Sequence, residues 1–505
     1  MGRPSREMKP RASSVRDGKY AQISHDQEEQ RTDSTVDNYG LDPVTEKTEK
    51  PHPARWLMLG IFGLVAQGNG MTFLAISSIS GKAQDFYNVS ESTVNLVVIL
   101  FYAIYLPFMP LATWTVNLKD GLRGNVLVAA FVMALGCGIR AVAYNGSSAS
   151  FNYYLLGTAI CAVNGPFILS CFTLVPASWF PESERGMAVS IGVLANQMGM
   201  VVGYLLPPLI VTEETDRSKQ KTQFLICHLT LAAITGIAFL LAFFLFKSAP
   251  PNATRRVPIR ARDEMELVVA LKLMVTNPNF WAYGLGFALV APIYWDMGTL
   301  LNQNMSPSGY SDGMIMIPGV LLQAIALPGM VLAGKLIDTL HIIETIIIAS
   351  LLLALCSMIV FSWAITLEKS TTNLMLITLC SVCAGFSFSM VQPAMLDLVT
   401  ERTQPVPHGS TCSVLYLGTM TFGGLYMVIS NYMKALHFNI LICSIIAIIL
   451  AASLIVPQVF PHSKTSSSSK YSVHSVSASY TDGEWKNGLE TSEKGKELSH
   501  EDKCC

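Results

Sequence analysis

From residue 55 to residue 460 the chain repeats one pattern, a long apolar stretch followed by a short polar break, twelve times over. The stretches predict helices over 55–79, 92–116, 123–144, 152–179, 186–211 and 223–246, and then over 278–301, 313–336, 342–365, 374–398, 409–433 and 438–460. Each is about 20 residues or longer, enough for a helix to cross a hydrocarbon core of about 30 Å. Helix is the form expected there, because lipid offers a backbone no hydrogen-bond partners and a helix supplies its own. A basic segment, Lys247 to Lys272, divides the twelve into six and six.

Composition agrees with a membrane protein. Charged residues make up only 14% of the chain, against about 25% in a soluble domain. A net charge of −1, with no basic array interleaved with aromatics, gives no reason to expect a nucleic-acid partner. Nine of the eleven cysteines fall inside predicted spans, so no disulfide framework is implied. Cys380 and Cys383 have redox-motif spacing, but mid-helix and without acidic or His neighbours they read as small packing residues. The expected organisation is a disordered cytosolic tail over 1–53, a six-helix bundle over 54–246, a cytosolic linker over 247–277, a second bundle over 278–460 and a second disordered tail over 461–505. Both tails are too polar to bury the surface that would offset their ordering entropy. No cleavable leader precedes the first span, which is expected to direct insertion itself.

Basic residues in short loops mark the cytosolic side. With the N-terminus inside, the inner flanks hold Arg55, Lys119, Arg123, Arg185, Lys247, Arg255, Lys335 and Arg402 among others, whereas the outer loops hold only Lys82, Arg217, Lys219, Lys221, Lys369 and Lys434. Both termini are therefore expected inside. Asn88 and Asn145 begin glycosylation triplets in the first two outer loops, close to helix ends where the glycosylating enzyme reaches poorly.

Two inner loops share an element. Gly334-Lys-Leu-Ile-Asp338 closes the eighth span, and Asn117-Leu-Lys119-Asp120-Gly121-Leu-Arg123 stands at the corresponding place in the first half. The pair resembles the cytoplasmic loop signature of the major facilitator superfamily, in which a carboxylate and nearby basic residues latch neighbouring helix ends. In the first copy Asn117 stands where the carboxylate belongs and Asp120 is displaced toward the glycine. Asn117, Asp120, Arg123 and Asp338 are thus candidate gating residues. The resemblance implies an all-α membrane protein with twelve transmembrane helices in two six-helix bundles, the layout of alternating-access carriers.

The fifth span carries Asn196-Gln197-Met-Gly199, with Gly203 one turn further on. Gly199 and Gly203 make a small-xxx-small face for close helix approach. Asn196 and Gln197 are consecutive amides at membrane depth and cannot share one face, so one is expected to face a cavity and the other a helix neighbour. This stretch, together with Ala112-Thr113-Trp114, Thr299-Leu-Leu-Asn302-Gln303 and Glu401-Arg-Thr403-Gln-Pro405, resembles solute carrier family 49, the feline leukaemia virus subgroup C receptor-related transporters. The resemblance covers the membrane region and neither tail. It implies transport of choline and ethanolamine, with haem also proposed in the family and a vitamin B6 carrier in a more distant branch.

A choline headgroup carries a fixed charge and no donor on nitrogen, so aromatic faces suit it. In the family's choline carriers a tryptophan of the first helix and a tyrosine of the seventh enclose the ammonium. The matching positions hold Phe73 and Trp295, with Tyr294 beside the latter, and the family's glutamine on the fifth helix matches Gln197. A second family glutamine, on the eleventh helix, falls on Met420. Either aromatic alone is as well explained by core packing. Asp296 is an acidic residue at membrane depth, expensive at about 2.5–3.5 kcal/mol on insertion scales and hence a candidate functional group. It could attract a cation, titrate in proton coupling, or pair with Arg140. Asn196 and Gln303 complete the candidate substrate-binding set.

The expected partner is a small solute (choline, ethanolamine or haem), moved by a monomer in the lipid bilayer, most simply at the plasma membrane, with an endolysosomal or other organelle membrane as the alternative. A proton-coupled pyridoxine-like carrier and a non-transporting receptor are the other readings. No catalytic constellation, metal cluster or phosphate loop is present in the sequence, so neither enzyme activity nor a cofactor is expected. The charge bias gives a direct test: tags on either terminus should be reachable by antibody only after permeabilisation, and surface labelling of the Arg255–Arg262 segment in intact cells would overturn the orientation.

Overall fold

The structure, a computed structural model, describes residues 52–116, 118, 120–250, 272, 274–277, 280–340, 342–403, 406 and 408–459. The predicted tails, apart from residues 52 and 53, and most of the predicted linker lie outside that set, as do Asn117 and the side chain of Asp338. Contacts divide the chain into Met1–His52 and Pro53–Cys505, and all the helices below belong to the second unit.

In chain order the first half contains α1 (Arg55–Leu74), α2 (Ser80–Tyr87), α3 (Glu91–Val116), α4 (Gly121–Ala141), α5 (Ser148–Ala162), α6 (Asn164–Leu169), α7 (Leu174–Trp179), α8 (Glu182–Ile210) and α9 (Arg217–Leu245). The second half contains α10 (Leu285–Met305), entered through a π-helical turn at Phe280–Gly284, then α11 (Asp312–Ala324), α12 (Ala326–Leu340), α13 (Ile343–Ala364), α14 (Thr371–Arg402), α15 (His408–Ser430) and α16 (Ala435–Val459). Helix occupies each of the twelve predicted stretches. Among the described residues, nine helical segments are long and apolar enough to cross a membrane.

Two of the remaining three stretches have local reasons to fall short. The fourth is broken into α5, α6 and α7, and at the first break the Asn164 side chain donates to the Cys161 carbonyl at 2.6 Å. Such local bonds compete with the helical ladder. α10 carries Asp296, Asn302, Gln303 and Asn304 in its second half and Pro292 in its interior. In α15 the described residues include the apolar segment Val414–Ser430.

Helix ends follow from sequence. Ser147 and Ser150 form a reciprocal capping box that starts α5. Asn88 closes α2 in the left-handed conformation, which Asn tolerates better than most side chains. In the inner loop, Gly121 lies where a Cβ would come 2.2 Å from the Thr115 carbonyl oxygen, so the turn from α3 to α4 closes only over glycine.

Packing is closest between α1 and α8 in the first half and between α13 and α14 in the second, with α4 held by α5 and α9. The halves meet along two seams, α3 against α15 and α8 against α11. Each half also has an ion pair at its inner end by the charge bias: Arg55–Glu184 at 3.2 Å ties α1 to α8, and Arg402–Glu344 at 2.9 Å ties α14 to α13. Neither joins the two halves.

At Gly199 a Cβ would come 1.9 Å from the Gln67 carbonyl oxygen, which is backbone and cannot give way. Gly199→Val is therefore expected to separate α1 from α8. It should lower the melting temperature of the detergent-solubilised protein by the equivalent of about 1–3 kcal/mol or more, the usual penalty for overpacking. An unchanged melting temperature would contradict the close approach.

Candidate functional site

Two buried hydrogen-bonded clusters join the halves near the middle of the helices. In the first, the Gln197 amide of α8 donates to the Tyr294 hydroxyl of α10, and to the Gln323 carbonyl oxygen of α11 at 3.1 Å. Tyr294 in turn donates to that same Gln323 oxygen at 2.6 Å. Gly298 makes room for this arrangement, since a Cβ there would lie 2.5 Å from the Gln323 amide nitrogen. In the second cluster, the Tyr102 hydroxyl of α3 donates to one Asp296 oxygen of α10 at 2.8 Å. Asp296 is 2% exposed, and its other oxygen has no hydrogen-bond partner. Phe73 packs edge-on against Tyr102 and Phe101, with ring centroids 5.8 and 5.4 Å away. Aromatic rings, a carboxylate and an amide network thus converge where α1, α3 and α8 of one half meet α10 and α11 of the other. Pro292 interrupts the α10 backbone ladder one turn before Trp295 and Asp296, loosening that helix where the cluster forms.

The consecutive amides of α8 diverge. Gln197 faces the second half, whereas Asn196 accepts from the Asn69 side chain of α1 at 2.9 Å and so binds helix to helix. Trp295 is half-buried against the core of the second half and makes no ring contact with Phe73 among the described residues; Tyr102 is the aromatic that reaches Phe73 from the junction. Met420 packs against the same core.

Two expectations need correction. Asp296 does not pair with Arg140: its partner is Tyr102, and Arg140 bonds the Thr72 carbonyl at 3.2 Å inside the first half. Gln303 does not share a pocket with Trp295. Eight residues of helix place it about 12 Å further along α10, where it donates to Asn95 of α3.

The candidate gating residues are only partly described. Arg123 does link helix ends, but through a carbonyl: its guanidinium donates to Phe243 at the end of α9 at 3.1 Å, where helix carbonyls lack partners. Asp120 adopts the left-handed conformation just before α4.

Sequence reasoning missed the contacts at the opposite end, the outer one by the charge bias. Asn95 donates to Asn431, just past the end of α15, at 2.7 Å while accepting from Gln303. The buried Asp312 at the start of α11 accepts from the Lys82 backbone at 3.2 Å and from Asn302 at 2.6 Å. All the described inter-half hydrogen bonds lie at this end or at the midplane clusters. Lone amides and tyrosines in otherwise apolar spans (Asn95, Tyr102, Gln323) were the available signal, but nothing in one sequence indicates which of them meet.

The profile described as Major Facilitator Superfamily matches residues 57–427. The chain belongs to this superfamily. It is similar to the choline/ethanolamine transporter flvcr2a of Danio rerio, 25% identical over 401 residues, which span 77% of this chain and 83% of that protein. It is also similar to solute carrier family 49 member A3 of Xenopus tropicalis, 23% identical over 386 residues, 75% of this chain and 78% of that one. These matches bear out the resemblance to solute carrier family 49. Among solved structures, the xylose transporter XylE from E. coli in a partially occluded inward open conformation aligns with TM-score 0.61 at 12% identity, over 82% of this chain and 99% of that one. FucP in the outward conformation gives 0.54 at 16% identity, over 80% and 98%. The structural likenesses show the major facilitator fold, and membership of the superfamily, together with the apolar helices, makes the chain a multi-pass membrane transporter.

Tyr102→Phe removes the one described hydrogen bond to the Asp296 carboxyl group and leaves that buried group unpartnered. It is expected to destabilise the protein by about 1–3 kcal/mol, seen as a lower melting temperature in detergent that Asp296→Asn in the same chain does not lower further. Additive losses from the two substitutions would show that the groups act independently.

Proposed function

We propose that this transporter carries small organic ammonium solutes of the choline and ethanolamine kind as a uniporter at the plasma membrane, by alternating access. The observation that carries the reading is the junction of Phe73, Tyr102 and Asp296 with the Gln197–Tyr294–Gln323 network. Aromatic faces and an acidic oxygen without a partner are the groups that favour an ammonium, and they sit where the two halves meet. The similarity to the choline/ethanolamine transporter flvcr2a supports the same solute class. Haem finds less support: its iron calls for an axial ligand such as a histidine, and His228 is buried within the first half and bonded to the Tyr87 hydroxyl at 3.0 Å.

One observation favours a second reading, proton-coupled transport of a vitamin-like solute. Asp296 is buried at membrane depth with one oxygen unpartnered, a position suited to taking up and releasing a proton.

Uptake of labelled choline, ethanolamine, haem and pyridoxine at two external pH values separates these readings. The ammonium uniporter predicts selective choline or ethanolamine uptake that is insensitive to pH. Pyridoxine uptake driven by acid and lost in Asp296→Asn would replace it with the second reading. Within the first reading, Phe73→Ala is expected to weaken choline binding roughly thirtyfold, the equivalent of one desolvated cation–π contact of about 2 kcal/mol. Phe73→Trp should tighten it, and unaltered affinity in Phe73→Ala would remove Phe73 from the cage.

A further inference from the structure

Arg140, in the last turn of α4, is the largest fully buried side chain among the described residues, at 1% exposure. Its guanidinium lies 5.0 Å from the centre of the Tyr154 ring and 5.8 Å from that of Phe101. One terminal nitrogen, Nη1, donates to the Thr72 carbonyl at 3.2 Å. The other two, Nε and Nη2, are buried and have no partner. No carboxylate of the described chain pairs with it: Asp296 is bonded to Tyr102, and the described ion pairs lie at the helix ends or in the loop before α9.

The pattern of open donors is specific. Nε and Nη2 lie on one edge of the guanidinium and present two parallel N–H groups, the fork that matches the two oxygens of a carboxylate or phosphate. Leaving a buried donor unmade is costly, and more so for a charged group. The aromatic faces offset part of the charge, but they do not use the in-plane hydrogens. The edge also stands one ring from the junction, because Phe101 touches both Arg140 and Phe73.

We infer that the Nε/Nη2 edge of Arg140 is a subsite for a carboxylate or phosphate, and that the solute is a zwitterion whose ammonium end lies toward Phe73, Tyr102 and Asp296. The ammonium end rests on the function proposed above; the oxyanion end rests on Arg140 alone. The same oxygens could come from a free anion bound beside a purely cationic solute, and the chemistry at the edge would be identical.

Binding to the purified full-length chain distinguishes these cases, with choline, glycine betaine (the same trimethylammonium with a carboxylate) and phosphocholine as probes. The wild type is expected to bind betaine or phosphocholine about ten- to hundredfold more tightly than choline, the range for charge-assisted hydrogen bonds. Arg140→Gln should collapse that ratio toward one, and Arg140→Lys, a point charge without the fork, should restore it only in part. If choline in the presence of acetate or inorganic phosphate binds as tightly as betaine, the oxyanion comes from solution and the subsite stands. Should the Arg140 variants fail to fold, saturable thermal stabilisation of the wild type by acetate or phosphate, but not by chloride, supports the subsite in their place. The subsite is overturned by a wild type that neither prefers the zwitterions nor is stabilised by either anion, or by a preference that survives in Arg140→Gln. Absence of choline binding with betaine binding intact would sink the cationic-solute reading and leave Arg140 in place.

Discussion

Everything in this protein is governed by the absence of water around its middle. A polar side chain in the hydrocarbon region must find a partner inside the protein, because an unmade hydrogen bond there is not replaced by solvent. The chain meets this demand in two ways. Most polar groups bond within their own helix, as Thr158 does to the Tyr154 carbonyl at 2.8 Å and Ser381 to Ile377 at 2.9 Å. Most of the remainder bond to another helix, with Arg140 Nε and Nη2 and one Asp296 oxygen among the exceptions, and the bonds between the halves are few. Those few bonds matter most mechanically, since rocking one half against the other must break them, and each broken bond exposes a group that needs a new partner.

A solute is a natural replacement partner. Gln197 and Gln323 share their hydrogen bonds with Tyr294, and Tyr102 holds Asp296, so at the midplane the two halves are joined by groups that would also serve an ammonium or hydroxyl-bearing ligand. The Asn95–Asn431–Gln303 chain and the Asp312 contacts at one end are different in kind. They are bonds among side-chain amides and to the Asp312 carboxylate, at the end of the helices that the charge bias places outside. On the proposed function, a change of state breaks the bonds at that end and exchanges those at the centre for bonds to the solute. In this account the solute lowers the barrier by satisfying groups that the moving halves leave behind.

How much of this the sequence reveals depends on the range of the interaction. Apolar stretches of membrane length are a local property, and helix occupies all twelve. The close approach at Gly199 was also legible, because a small-xxx-small face needs no knowledge of its partner. Partnerships across the halves were not. Asp296 looked ready for Arg140 because opposite charges invite pairing, but the helices place Tyr102 against the carboxylate and aromatic rings against the guanidinium. Gln303 looked like a pocket residue because it closes a family motif; its helical rise instead carries it to the edge, beside Asn95. Tyr102 and Gln323 carried no motif at all, and only the seams of α3 with α15 and α8 with α11 bring them to the junction.

The central claim is that the midplane bonds between the halves, rather than those at the edge, couple the solute to the motion of the halves. It is tested most directly by spin labels at Glu91 and Lys434, exposed positions on opposite halves at the end that carries Asn95 and Asn431. Distances between the labels, measured by pulsed electron resonance on the full-length protein in lipid, should be dominated by a short population. Choline should redistribute them toward a longer one, and Gln197→Ala should abolish that response while leaving the short population in place. A distribution that ignores choline, or a Gln197→Ala protein that still responds as the wild type does, would contradict the account.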